Sequence, residues 1–187
     1  GDKQADALLN RDGTALLIGM LLDQQVPMEW AFAGPATLKQ RLGHLDAKKI
    51  AAMDVEDFVA VCCEKPAIHR FPASMGRRIH DLCMLLTDRY GGKGANVWKG
   101  VESGDELYRR LRELPGYGEE KSKIFVAILG KRMSVEPTDW RVAAGVLLGI
   151  APSNAPVILG VRAIATPLAC GNTVILKGSE NCPRTHA

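Results

Sequence analysis

The sequence predicts a mainly α-helical protein with a short βαβ-like segment at its carboxyl end. Up to about residue 132, apolar residues recur every three to four positions, which is the spacing of one helix face. Beyond about residue 142, short apolar runs flank one helical stretch. With 187 residues, 47% of them hydrophobic and 24% charged, the composition is that of a globular chain and argues against disorder or a disulfide scaffold. We therefore expect a helical domain at residues 1–141, followed by a segment at 142–187 that is not an independent domain.

The opening segments carry a strong helical pattern. Apolar residues between Leu8 and Leu21 recur at helical spacing, so these segments are predicted to bury one face. Pro27 can begin the next helix, because the first helical turn tolerates its missing N–H group. Gly34 and Pro35 are expected to end that helix.

Capping residues and glycines define the middle helices. Asp46 and Asp54 each precede an apolar cluster, where a carboxylate can accept hydrogen bonds from free backbone N–H groups. The longest amphipathic stretch runs from Pro72 to Tyr90, and Gly91-Gly92 can end it in the left-handed conformation. We expect a helix at each of these places and a loop at 92–100.

A helix, a glycine-containing hairpin and a second helix follow. Ser103 and Glu106 have the spacing of a capping box at the start of the first helix. The hairpin is Leu114-Pro-Gly-Tyr-Gly118, and the second helix is predicted from about Glu119 until Gly130 ends it.

This hairpin has two interpretations. Gly116 and Gly118 allow a tight turn, which would expose N–H groups at the positively polarised start of the second helix, where a DNA phosphate can bind. Lys121 and Lys123 follow within about one turn and would add attraction for the phosphate. Alternatively, the hairpin is a plain connector between two helices.

The last part of the chain has a strand–helix–strand pattern. Val146 to Ile150 and Thr173 to Leu176 are predicted strands, and Val157 to Ala169 is a predicted helix between them.

Several protein classes are disfavoured. The five cysteines lack CxxC spacing, so no metal ion is expected. For a DNA-binding protein we expect no cofactor either. Cys62 and Cys83 lie among apolar helical residues and are interpreted as small buried hydrophobes. The longest apolar run, Ala15 to Leu22, is too short to cross a bilayer, and the acidic, polar start does not resemble a secretion signal. We expect no membrane association and a cytoplasmic location.

The helical part resembles the HhH-GPD superfamily of base-excision DNA glycosylases. Three segments in the family's order carry the resemblance: Leu16–Gln25, Phe71–Ile79 and Leu114–Arg132. It implies a metal-free, monofunctional glycosylase that binds double-stranded DNA and cleaves an N-glycosidic bond of a base rotated out of the stack. A catalytically inactive chimeric DNA-binding protein is the alternative.

The same resemblance implies roles for two further residues. Gln25 matches a glutamine that fills the space left by the rotated nucleotide, although Gln24 and Gln25 are also consistent with a polar helix end. Asp139 is the nearest match to the catalytic aspartate, although its surroundings depart from the family pattern and it is equally suited to cap a helix. Glu120 occupies the position of the lyase-type lysine, so no Schiff-base chemistry is expected.

From about Ala144 onward, the chain resembles the cofactor-binding domain of aldehyde dehydrogenases, and most closely those acting on aromatic aldehydes. The segments that carry this resemblance are Gly149–Pro156, Pro167–Asn172 and Leu176–Glu180. The resemblance implies that Asn154 donates to the thiohemiacetal oxyanion and that Lys177 contacts the adenosine ribose of NAD. It also puts the nucleophilic cysteine and the general-base glutamate beyond residue 187. We therefore interpret the chain as a chimera, with NAD-dependent aldehyde oxidation as a third alternative and homodimerisation through this segment as a further expectation.

Overall fold

The computed structural model describes residues 3–145, 147–150 and 174–177, and it confirms a mainly α-helical protein. The helices and strands of these residues are α1 (Lys3–Arg11), α2 (Gly13–Leu22), α3 (Met28–Leu42), α4 (Ala47–Ala51), α5 (Val55–Cys63), α6 (Pro72–Tyr90), α7 (Gly104–Arg112), α8 (Glu119–Arg132), α9 (Trp140–Ala144), β1 (Leu147–Ile150) and β2 (Val174–Lys177). Among the described helices, none combines the length and the apolar character needed to span a bilayer.

The chain divides into two compact units. The first comprises Gly1–Gly100 and Arg110–Tyr117, and the second comprises Val101–Arg109 and Gly118–Ala187. The expected division at residues 141 and 142 stays a prediction.

Helix α2 lies in the centre of the first unit. It begins at Asp12, whose Oδ1 accepts hydrogen bonds from the backbone N–H groups of Thr14 (2.9 Å) and Ala15 (3.2 Å). All its residues from Thr14 to Leu22 are buried, so the prediction that the opening segments bury only one face is wrong for α2. The physical reason is that α2 carries no charged side chain and can be covered on every side.

Helix α3 passes through the residues predicted to end it. Gly34 and Pro35 are buried inside the helix, which continues to Leu42 and ends at Gly43. A Cβ atom on Gly34 would lie 2.4 Å from Leu22 Cδ1, so this glycine permits close packing of α3 on α2. Tertiary packing at this face thus outweighs the helix-breaking tendency of the Gly-Pro pair.

The predicted caps of the middle helices are confirmed. Asp46 and Asp54 accept hydrogen bonds from the backbone N–H groups that follow them and begin α4 and α5. Helix α6 spans Pro72–Tyr90 and ends at Gly91, which has a left-handed φ of 62°. The expected loop after it contains a short 3-10 helix, Gly94–Val97.

In the second unit, α8 packs against α9. Helix α8 continues through Gly130, so the predicted stop at that residue is wrong. A Cβ atom on Gly130 would lie 2.5 Å from the buried indole of Trp140, which explains the glycine as a packing requirement. A short parallel bridge joins Ser103 to Thr138, with the backbone N–H of Gly104 donating to the Thr138 carbonyl at 2.7 Å.

Strands β1 and β2 pair in parallel, as the strand–helix–strand pattern requires. Leu147 is opposite Val174 and Ile150 is opposite Lys177. Both strands lie within one residue of the predicted bounds. The predicted helix Val157–Ala169 lies outside the described residues.

The cysteines of the first unit provide a test of its packing. Cys62 and Cys83 are buried, as predicted, whereas Cys63 is exposed. Burial raises the pKa of each buried thiol from 9.0 to about 12. A raised pKa means that the neutral thiols contribute their full stability below pH 9.0 and lose it as the pH rises toward about 12.

We therefore expect Cys63 to react with iodoacetamide at mildly alkaline pH at least about a hundredfold faster than Cys62 and Cys83, because the thiolate is the reactive form. Peptide sequencing by mass spectrometry would follow each site separately. In urea, all three sites should react at similar rates. Equal rates in the native protein would contradict the burial described here.

Candidate functional site

The hairpin between α7 and α8 was the first predicted site. Gly116 is exposed and has a left-handed φ of 78°, so the turn does require a glycine there. Tyr117 is buried, and its hydroxyl donates to the Leu17 carbonyl oxygen at 2.8 Å, which anchors the turn to α2. Gly118 has a φ of −73°, with nothing within 4 Å of a Cβ atom built on it. Of the two glycines, the backbone conformation therefore requires only Gly116.

The glutamine pair lies beside this turn. A Cβ atom on Gly116 would be 3.7 Å from Gln24 Nε2. The Gln24 amide donates to the Leu21 carbonyl oxygen at 3.1 Å and accepts from Arg78 at 3.0 Å, so it is held within the first unit. Gln25 is exposed and has a left-handed φ of 57°. The structure thus puts Gln24 against the hairpin and Gln25 next to it in the chain.

The start of α8 carries charges of both signs. Lys123 donates to Glu119 Oε1 at 2.6 Å, and this hydrogen bond raises the pKa of the lysine. Glu119 and Glu120 occupy the first turn, where their carboxylates complement the partial positive charge of the helix end. Lys121 lies between them and Lys123 in sequence. A phosphate at this helix end would therefore compete with two carboxylates.

Asp139 stands directly before α9 and is exposed. Its φ is 59°, a left-handed conformation that aspartate adopts more readily than most residues, and its side chain makes no capping hydrogen bond. Arg141 lies over the ring of Trp140, with its Cζ 4.5 Å from the centroid. The catalytic and DNA-binding roles expected for Asp139, Gln25, Gly116, Gly118, Lys121 and Lys123 stay predictions.

A second site is defined by the carboxyl ends of β1 and β2. Because the strands are parallel, both ends lie at the same edge, and the register makes Ile150 and Lys177 neighbours there. In open parallel sheets, ligands bind beyond the carboxyl ends of the strands. Asn154 follows Ile150 by four residues and lies outside the described residues. The sequence pattern predicted the strands but not this register.

Lys177, to which the aldehyde dehydrogenase resemblance gives a polar role, is at this edge. Lys177 is the last residue of β2, whereas Asn154, the other residue with an implied polar role, lies outside the described residues and follows β1 by four positions in the sequence. An ammonium group is a suitable hydrogen-bond donor to ribose hydroxyls. No group of three or more His, Cys, Asp or Glu side chains suited to a metal ion occurs within the described ranges.

Comparisons with known proteins point to the same segment. A model of the aldehyde dehydrogenase family matches residues 65–187. The chain is 74% identical over 46 residues to a vanillin dehydrogenase of Pseudomonas sp. strain HR199, covering 25% of this chain and 10% of that protein. It is 55% identical over 47 residues to a salicylaldehyde dehydrogenase of Pseudomonas putida, again covering 25% and 10%. A phenylacetaldehyde dehydrogenase of Pseudomonas fluorescens is 51% identical over 45 residues, which cover 24% of this chain and 9% of that protein. The chain thus spans about a tenth of the length of these relatives.

These findings correct the function expected from the helical part. A DNA N-glycosylase, which is a hydrolase of base-excision repair, is the wrong assignment, and so is a DNA-repair protein in general, because the family match includes the hairpin and continues to the end of the sequence. The third alternative, an aldehyde dehydrogenase, is the one that the comparisons favour. The expectation that residues after about 144 resemble such an enzyme is confirmed. Since the matched region makes up about two thirds of the sequence, the chain belongs to the aldehyde dehydrogenase family.

Proposed function

We propose that this chain supplies a coenzyme-binding strand–crossover–strand unit of an NAD-dependent dehydrogenase that oxidises aromatic aldehydes. The observation that carries the proposal is the parallel register of β1 and β2, with Ile150 and Lys177 adjacent at the carboxyl edge. A parallel pair needs a crossover connection of at least a dozen residues, and the 23 residues from 151 to 173 meet that requirement.

The residues at this edge have the chemistry that such an enzyme needs. The Lys177 ammonium would donate a hydrogen bond to a ribose hydroxyl of the adenosine half. The Asn154 side-chain amide would donate to the oxyanion that forms when a thiol adds to the aldehyde carbonyl. Bound NAD supplies the hydride acceptor. These two side chains therefore orient the coenzyme and stabilise developing charge.

Aromatic aldehydes are the proposed substrate class because of the relatives' names. The chain is similar to enzymes named for vanillin, salicylaldehyde and phenylacetaldehyde, and each of these carries an aldehyde on or next to an aromatic ring. A cytoplasmic location and homodimerisation through the carboxyl-terminal segment belong to the same proposal.

Coenzyme binding can be tested on the chain as it is. In saturation-transfer NMR, NAD is expected to receive magnetisation at its adenine and adenosine ribose protons, and ADP-ribose should compete for the same site. Lys177→Ala should weaken binding about tenfold, because it removes a charged hydrogen-bond donor.

Lys99→Ala is the matched control, since Lys99 is an exposed lysine far in sequence from β2. It should leave NAD affinity unchanged. Absence of transfer to NAD, or an equal loss of affinity in both variants, would contradict the proposed coenzyme site.

A further inference from the structure

An exposed group of side chains in the first unit has no part in the proposed coenzyme site. Met28, Trp30 and Phe71 expose 44%, 41% and 46% of their surface. Trp30 and Phe71, together with His69 and Arg70, form what we call the aromatic cluster, and Met28 lies two residues before Trp30 in α3. Exposed large apolar side chains that gather in one place, rather than singly, are typical of an interaction surface.

Hydrogen bonds hold the aromatic cluster in place. His69 is buried, and its Nδ1 accepts a hydrogen bond from the Phe71 backbone N–H at 3.0 Å. Its Nε2 therefore carries the proton and donates to the Gln24 carbonyl oxygen at 2.9 Å. The imidazole lies between two rings, 6.4 Å from Trp30 and 6.1 Å from Phe71 between centroids. Trp30 Nε1 donates to the Ala67 carbonyl oxygen at 3.1 Å, so the exposed Trp30 ring is fixed before any partner arrives.

The surroundings of these rings favour negative charge. The Arg70 guanidinium lies over the Phe71 ring, 5.3 Å from its centroid, and within the described part of the chain it has no carboxylate at salt-bridge distance. Helices α3 and α6 both begin beside the cluster, and neither has a side-chain cap. Their free N–H groups add partial positive charge. Glu29, in the first turn of α3, is the carboxylate next to Trp30 in sequence.

We propose that the aromatic cluster binds an acidic peptide segment of a partner protein. An aromatic or aliphatic side chain of that segment would stack on Trp30 and Phe71, and a neighbouring carboxylate would pair with Arg70. Tryptophan and arginine dominate the binding energy of protein interfaces, and a fixed ring loses little entropy on binding. The proposal is independent of the coenzyme site.

The charge of this part of the chain separates a peptide from other anionic partners. Residues 1–76 carry 8 basic and 10 acidic side chains. Nucleic acids and anionic membranes are bound by extended clusters of basic residues, which this balance does not supply. The net charge of this stretch is −2, from 8 basic and 10 acidic side chains, so the attraction for a peptide carboxylate is local and comes from Arg70 and the two helix ends.

The test uses isotope-labelled protein and the synthetic peptide Glu-Glu-Trp-Glu-Glu. We expect the peptide to shift the NMR signals of the Trp30 indole and of the backbone amides around Phe71. Arg70→Glu and Trp30→Ala should each raise the Kd at least about tenfold. Arg70 is exposed, so its variant tests the proposal even if Trp30→Ala disturbs folding.

Three comparisons make the result decisive. Met84→Ala removes another exposed apolar side chain, from α6, and should leave the Kd unchanged, as should the charge-reversal control Lys93→Glu. Equal binding of Lys-Lys-Trp-Lys-Lys, or equal binding of Glu-Glu-Ala-Glu-Glu, would overturn the proposal. So would tighter binding of single-stranded oligothymidylate or phosphatidylserine vesicles at the same signals.

Discussion

Gly94→Ala is expected to lower the free energy of unfolding by about 3 kcal/mol, because the added methyl group would enter the backbone of α2. A Cβ atom on Gly94 would lie 2.5 Å from the Thr14 nitrogen and 2.6 Å from the Gly13 carbonyl carbon. Neither contact ends on a flexible side chain that could move aside. The close approach also allows the Gly94 N–H to donate to Thr14 Oγ1 at 3.1 Å, and this buried hydrogen bond would be lost as well. Urea denaturation gives the change directly.

Gly118→Ala is the matched control. Its backbone conformation is open to any residue and nothing lies within 4 Å of the added atom, so we expect a loss below about 1 kcal/mol. Similar unfolding midpoints for the two variants would mean that α2 and the 3-10 helix Gly94–Val97 do not approach as described.

Arg41→Ala is expected to have an effect of similar size, also about 3 kcal/mol. The Arg41 side chain is only 12% exposed, and its guanidinium donates to three carbonyl oxygens at the end of α5 and in the loop that follows it, those of Val61 (2.7 Å), Glu64 (3.0 Å) and Pro66 (2.7 Å). Truncation would leave these acceptors without their donor and open a cavity between α3 and the loop. Arg41→Lys should recover only part of the loss, since an ammonium group cannot reach three acceptors in the geometry of a guanidinium.

Arg77→Ala provides the comparison for Arg41. Arg41 pairs with Glu64 at 3.6 Å and Arg77 pairs with Glu56 at 2.8 Å, but the Arg77 and Glu56 side chains are both at least half exposed. Exposed ion pairs contribute about 1 kcal/mol or less. If thermal denaturation shows equal losses of stability for Arg41→Ala and Arg77→Ala, Arg41 does not hold the loop.

Local rules explain which parts of the fold could be predicted. The caps at Asp46 and Asp54 depend only on a side chain and the next few N–H groups, and the stop at Gly91 depends on its own backbone freedom. Such features are contained in a few consecutive residues. The bounds of α6 could therefore be predicted from the sequence without reference to the rest of the chain.

These local capping and helix-stop rules failed where contacts between distant parts of the chain determine the structure. Gly34 and Gly130 were interpreted as helix stops, yet each lies inside a helix and admits a neighbouring side chain, Leu22 in one case and Trp140 in the other. The sequence alone does not distinguish a glycine that ends a helix from a glycine that lets two helices approach. Only the packing partner, which lies elsewhere in the chain, distinguishes them.

In the candidate site too, local features could be predicted from the sequence, and features that depend on distant residues could not. A Leu-Pro-Gly-Tyr-Gly hairpin between helices has the form of a phosphate-binding turn, but the form alone does not specify the function. The family match indicates an aldehyde dehydrogenase instead. The strands of the carboxyl-terminal segment were predictable from their apolar runs. Their register, which makes Ile150 and Lys177 neighbours, depends on the crossover between them and was not. The aromatic cluster was also missed, because Trp30 and Phe71 come together only through the fold.

Mapping NAD onto the amide signals of the isotope-labelled chain is the most direct test of the coenzyme site. NAD is expected to shift the signals of Ile150 and Lys177 and of the residues that follow them, while the amides of the 114–118 hairpin stay unchanged. Shifts confined to the hairpin, or no shift at the ends of β1 and β2 at saturating NAD, would contradict it.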